Sequence, residues 1–183
     1  MKFYELCKKR YSVRKYLDKE VSRELIEKCV EAARIAPSAE NVQPWRFLIV
    51  DNKETLKLLK EKAFSGIYRA TRWANSAPVI IVILARPDLF ANKIGSTIQG
   101  INYYLIDIGI ATEHLVLQAT ELNLGTCWIG WFNVKGVRKA LKVPKKYKIV
   151  GLLTLGYFEY NENLSRKRRK ALNEIMFYNK VGK

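Results

Sequence analysis

Apolar residues recur along this chain with two periods, and the switches between them outline its elements. Leu25, Ile26, Cys29, Val30 and Ala33 form a stripe at spacings of three and four behind Ser22, a good N-cap. They predict a helix through Ala36, which Pro37 ends. Residues 3–9 read as a short helix, and Trp45 to Val50 as a compact strand. Asp51 or Asn52 can cap a Lys-rich helix to about Ala63. Pro78 to Leu84 is wholly apolar and β-branched, the pattern of a strand buried on both faces. From Thr97 to Asn123 the helical period runs nearly unbroken through Ile101, Leu105, Ile108, Ala111, Leu115, Ala119 and Leu122. Such a helix spans about 40 Å. Gly125 is placed to stop it. Thr126 to Gly130 then reads as a strand, Asn133 to Leu141 as a surface helix, and Tyr147 to Phe158 as a long strand. Ala171 to Tyr178 alternates weakly and fits either a helix or an extended arm.

These elements compose an α+β fold: a mixed sheet of four or five strands wrapped by helices, with one long central helix. No repeat or linker divides the chain, so residues 1–183 are read as one domain. The long helix is apolar on nearly all sides, more than one subunit covers, which predicts an obligate homodimer.

Composition narrows the class. With 183 residues, 49% hydrophobic and 27% charged, the chain is long enough to bury a real core. Cys7, Cys29 and Cys127 are widely spaced and odd in number, and His114 is the lone histidine. That argues against a disulfide framework and a metal site, and for reduced thiols in a cytoplasm. The start lacks the apolar run of a signal peptide, and Ala77 to Ala85 is too short to span a bilayer. A cytoplasmic protein without a membrane partner is the expectation. The net charge of +16, from 33 Lys+Arg against 17 Asp+Glu, favours anionic partners, either nucleic acid or small phosphorylated molecules. Much of the excess is lysine on helix faces (Lys53, Lys57, Lys60, Lys62), which reads as solvated surface. The dense run is Arg166 to Lys170.

Two stretches carry candidate chemistry. Arg10-Tyr11-Ser12-Val13-Arg14 sets two guanidiniums and a hydroxyl at i, i+2, i+4, a spacing suited to several oxygens of one phosphate. Pro37-Ser38-Ala39-Glu40-Asn41-Val42-Gln43-Pro44-Trp45 is a polar turn between helix and strand, whose amides no neighbouring element consumes. A phosphorylated, partly planar, amide-rich ligand such as FMN fits both. Each stretch alone also reads as an ordinary basic turn or a helix-to-strand loop. Leu124-Gly125-Thr126-Cys127-Trp128-Ile129-Gly130 alone reads as a helix stop and a core strand.

Their order carries more. Arg-Tyr-Ser-Val-Arg, then Pro-Ser-Ala-x-Asn-x-Gln-Pro-Trp, then Gly-Thr-Cys-Trp-Ile-Gly, then a basic cluster before Leu172-Asn173-Glu174-Ile175 resembles the nitroreductase family of flavoenzymes over essentially the whole chain. The resemblance implies an intertwined homodimer with FMN at the interface, and hydride passing from NADH or NADPH to nitroaromatics, quinones or similar acceptors. It implies that Arg10, Tyr11, Ser12 and Arg14 take the phosphate, ribityl and pyrimidine side, with Lys167 and Arg169 completing the phosphate grip. Pro37, Ser38, Ala39 and Asn41 would come from the partner subunit, while Gln43 braces their loop. The backbone of Ile129 and Gly130 would lie near flavin N5, where glycine allows close approach. Phe158 departs from the family, which commonly carries proline there.

No nucleophile elbow or metal set is legible, and His114 falls mid-helix as a packing residue. This suits a flavoenzyme, whose cofactor carries the redox chemistry in a ping-pong scheme. Two rivals stand beside that reading: a same-fold flavin enzyme performing reductive dehalogenation or consuming its flavin, and a basic nucleic-acid-binding protein. The second lacks a base-reading motif.

Overall fold

The computed structural model describes residues 1–86, 100–160 and 168–181. Its elements run α1 (Phe3–Lys9), α2 (Arg23–Arg34), β1 (Trp45–Val50), α3 (Lys53–Ala63), β2 (Val79–Ala85), α4 (Tyr103–Glu121), β3 (Gly125–Ile129), α5 (Val134–Ala140) and β4 (Lys148–Gly156). Short polar side chains start three of the helices. Ser22 Oγ accepts from Leu25 N, Asn52 Oδ1 from Glu54 N and Thr55 N, and Asn133 Oδ1 from Gly136 N. Asn52 therefore caps α3, and Asp51 instead meets Arg23 at 3.2 Å.

The sheet order is β1-β2-β4-β3, every neighbouring pair antiparallel. Among the described residues the one parallel pairing is an isolated bridge from Ser12 to Thr126 on the outer edge of β3. The α+β class holds, with the mixed character confined to that bridge. β2 is buried at every position, as its pattern predicts. Val79, Ile81, Ile83 and Ala85 enter a core with α2 and α4, while Ile80, Val82 and Leu84 enter a second core with α3 and α5. Strand alternation thus splits one continuous apolar run between two layers.

The central helix is shorter than the hydrophobic period suggests. It starts at Tyr103 and spans about 28 Å. Gly100 lies at φ 68, a left-handed backbone that cannot continue a right-handed helix, and Ile101 is left outside it and exposed. Residues 97–99 lie outside the described residues. The helix stops at Asn123, not at Gly125. Asn123 adopts φ 59, its N–H bonds Thr120 O, and Leu124 N bonds Ala119 O, the paired closure of a Schellman end. Gly125 serves packing instead: an added Cβ would sit 2.7 Å from both Phe158 Cδ1 and Val13 Cγ2. On α4, Leu105 and Ile106 are exposed, and a Cβ on Gly109 would meet nothing. No helix among the described residues is long and apolar enough to cross a membrane. Residues 168–181 are exposed throughout, with one 3-10 turn at Leu172–Glu174. The segment is neither a regular helix nor a strand, but an exposed arm of turns and bends.

A candidate active site at the edge of the sheet

The bridge at Ser12 pins the basic segment along β3, and Val13 N donates to Thr126 O at 2.9 Å. Extended backbone alternates its side chains, so Tyr11 and Val13 go inward and are buried. Tyr11 packs edge-on to Phe158, centroids 5.6 Å apart, so its ring belongs to the core and only its main chain can serve a ligand. Arg10 and Ser12 are half-buried and Arg14 is exposed, all three on the opposite side. Four residues of strand spread them over about 13 Å. Arg14 is held over the Trp73 ring at 5.6 Å. Among the described residues neither Arg10 nor Arg14 forms an ion pair, whereas Arg23 and Arg34 do. Arg10 nevertheless influences Glu113. Partial desolvation raises that carboxyl above its usual value, and the positive charge of Arg10 opposes the rise.

The loop after α2 is tightly folded. Glu40, Asn41 and Gln43 adopt φ 52, 56 and 49, and non-glycine residues in that region cost on the order of 1 kcal/mol each. The turn brings Gln43 Nε2 to Asn41 O and Oδ1 at 3.2 and 3.0 Å, and Gln43 N to Ser38 Oγ at 2.9 Å. Gln43 braces the loop, as expected. Part of the loop's hydrogen bonding is thus spent within the loop itself, Gln43 on Asn41 and Ser38, and not on a neighbouring helix or strand. The anchor is Asp107, buried on α4, whose Oδ1 accepts from Ala39 N at 3.0 Å. Sequence reasoning missed Asp107. Its signal was there: it is the one charged residue in the first ten positions of α4.

β3 ends at buried Ile129, and Gly130 follows, exposed, with no atom near a hypothetical Cβ. Its main chain is open on that side. Phe132 is buried, and Asn133 N bonds Ala63 O at 2.9 Å, so the loop after β3 is fixed from both ends. Arg169 is described and exposed; Lys167 lies outside the described residues. His114 is structural, its Nδ1 lying 3.2 Å from Ala32 O across the α2–α4 contact. Burial pushes the Cys29 thiol up to about 12, so it holds its proton at neutral pH.

The halves of this site lie apart. Asp107 holds the Pro37–Asn41 loop near the start of α4, and Lys9 Nζ donates to Asn123 Oδ1 past its end at 2.7 Å. About 24 Å of helix rise separates those two anchors.

The model of the nitroreductase family matches residues 7–157. The chain belongs to the nitroreductase family. Among solved structures, an FMN-dependent nitroreductase from Clostridium difficile R20291 is 30% identical to this family member. It superposes with a TM-score of 0.76, covering 98% of this chain and 100% of that one. A protein of Methanothermobacter thermautotrophicus provisionally named NADH dehydrogenase/NAD(P)H nitroreductase is 32% identical over 161 residues, 86% of this chain and 78% of that protein. Iodotyrosine deiodinase 1 of Mus musculus is 29% identical over 197 residues, 95% of this chain and 68% of that protein.

Proposed function

We propose that this nitroreductase-family protein is an FMN-dependent oxidoreductase that takes hydride from NADH or NADPH and reduces a nitroaromatic, quinone or similar small acceptor. One observation carries the reading: Arg10, Ser12 and Arg14 line one side of a pinned strand, and among the described residues neither guanidinium forms an ion pair. Guanidiniums fixed on a pinned backbone and not closed into an ion pair fit an oxyanion ligand. A row of about 13 Å suits a phosphate at one end and a polar ring at the other. Bound FMN supplies the two-electron chemistry, alternately accepting and delivering hydride. The residues bind and orient. Arg10, with Lys167 and Arg169 of the basic arm, grips the phosphate. Ser12 serves the ribityl chain, and Arg14, steadied by Trp73, places positive charge at the pyrimidine edge. The main chain at Ile129 and Gly130, open at Gly130, meets the reactive edge of the ring.

The loop Pro37, Ser38, Ala39 and Asn41 completes the site from a second subunit, a reading supported by the two anchors on α4: the loop is fastened at Asp107, and the segment leading to Arg10 is tied by Lys9 to Asn123, about 24 Å of helix rise away. Exposed Leu105 and Ile106, beside a glycine that nothing within the subunit requires, are the surface on which two such helices meet. The whole chain acts as one domain of a homodimer. Its cysteines form no disulfide, which suits the cytoplasm.

Purified protein should release FMN, and not FAD, on heating. Anaerobic NADH or NADPH should bleach the flavin band, and menadione should restore it. A flavin-loaded protein that neither nicotinamide bleaches would defeat the reductase reading. The deiodinase relative, aligned over 95% of this chain, favours one alternative, reductive dehalogenation. Halide release from an iodophenol by the chemically reduced protein, with no nicotinamide activity, is the outcome that would select it.

A further inference from the structure

Trp131 is a large apolar residue left outside the core. Its neighbours in sequence are Gly130, whose main chain is open, and Phe132, which is buried. Phe132 turns inward, and the Trp131 ring stays 56% exposed. An exposed tryptophan on a loop is ordinarily free to rotate, but this one is fixed twice. Its Nε1–H donates to Ile67 O at 3.2 Å, and its ring packs on Tyr68 with centroids 5.2 Å apart. Ile67 beside it is 74% exposed. The supporting segment, Gly66–Ser76, is an eleven-residue 3-10 stretch, far longer than such helices usually run. It is fastened at its other end by Lys60 Nζ, which donates to Asn75 O and Ala77 O at 2.9 and 2.8 Å. One held segment thus carries Trp73 under Arg14 and Tyr68 under Trp131.

From this placement we propose that Trp131 is a specificity-determining residue, its ring forming with Tyr68 an aromatic ledge beside Gly130 on which a planar, electron-poor acceptor stacks. The proposal rests on the reading of Gly130 as the flavin's reactive edge. A ring held in advance loses little freedom when a second ring lands on it, so the ledge favours flat aromatic acceptors over compact ones. The donor N–H is already spent on Ile67 O, which leaves the face of the indole as the recognition surface.

The test uses the flavin-loaded protein with Trp131→Ala and Trp131→Phe. Menadione, added to oxidised protein without reductant, should quench tryptophan emission saturably. Trp131→Phe should lose most of that quench although three other tryptophans remain. Trp131→Ala should weaken menadione binding at least tenfold. In turnover its KM for menadione should rise at least tenfold more than its KM for ferricyanide, which has no ring to stack, while Trp131→Phe keeps most of the menadione affinity. Menadione binding unchanged in Trp131→Ala would overturn the proposal. So would parallel losses for both acceptors, or loss of the dimer or of flavin in both variants, because the ring would then be structural. Failure in a protein that binds FMN and is bleached by nicotinamide sinks the ledge alone. A wild-type protein that binds no flavin sinks the functional reading and the ledge with it.

Discussion

Gly125→Ala tests whether the basic strand is wedged against β3. The backbone at Gly125 is not left-handed, so the penalty is steric alone. The new Cβ would lie 2.7 Å from Phe158 Cδ1 and from Val13 Cγ2, and 2.9 Å from Val13 Cβ. Carbon atoms prefer about 3.5–4.0 Å, so roughly 1 Å of overlap must be relieved. Phe158 is half-buried and can shift. Val13 cannot move without straining its N–H bond to Thr126 O. Overpacking of this kind costs about 1–3 kcal/mol, partly offset by roughly 0.4–1 kcal/mol from a stiffer unfolded chain. A net loss of about 1–2 kcal/mol lowers Tm by roughly 2–8 °C in a chain of this size. Displacing Val13 also displaces Ser12 and Arg14, so FMN affinity should fall by about tenfold, worth about 1.4 kcal/mol. Thermal melts should be run on apoprotein, since bound ligand raises Tm by mass action. FMN affinity follows from quenching of flavin fluorescence. Unchanged Tm and unchanged affinity together would refute the wedge.

Three further substitutions probe the site. Arg10→Ala removes a charge-assisted contact worth about 1.5–3 kcal/mol, and should weaken FMN by roughly ten- to a hundredfold in the same titration; unchanged affinity would return Arg10 to the surface. Asp107→Ala leaves Ala39 N without its acceptor at a cost of about 1–3 kcal/mol, and limited proteolysis should then cut within residues 37–44, whereas Asp107→Asn, which keeps a carbonyl oxygen, should stay protected. Glu113 has a folded pKa above its unfolded value, so its contribution to stability is full below the usual carboxylate pKa and is lost as pH rises through the raised one. Glu113→Gln should flatten that decline in apoprotein melts across the mildly acidic range and tighten FMN modestly by removing a negative charge near Arg10; a steeper decline or weaker binding would contradict this.

What the sequence showed plainly was local. β1 and α1 match their predicted bounds, and Ser22 caps α2, because alternation, period and capping act within a few residues. The double burial of β2 was legible because an unbroken β-branched run has few other uses. The basic row and the loop stood out as residue types, but not their separation, since only the fold shows that α4 holds them apart. The end of α4 was read at Asn123, but its stop was assigned to Gly125, because Asn123 takes a left-handed conformation more often found at glycine. The 3-10 stretch Gly66–Ser76 was not read as an element, and Trp131 fell between the predicted strand Thr126 to Gly130 and the predicted helix Asn133 to Leu141. Its role depends on Tyr68 and Ile67, more than sixty residues away.

The central claim is that FMN is held between two copies of this chain, by the basic strand of one and the Pro37–Asn41 loop of the other. Sedimentation velocity followed at both 280 nm and the flavin band measures this directly. The account predicts one boundary of dimer mass at micromolar protein, carrying flavin at one FMN per chain, with no flavin travelling with monomer. A folded monomer that carries FMN at full occupancy would contradict it.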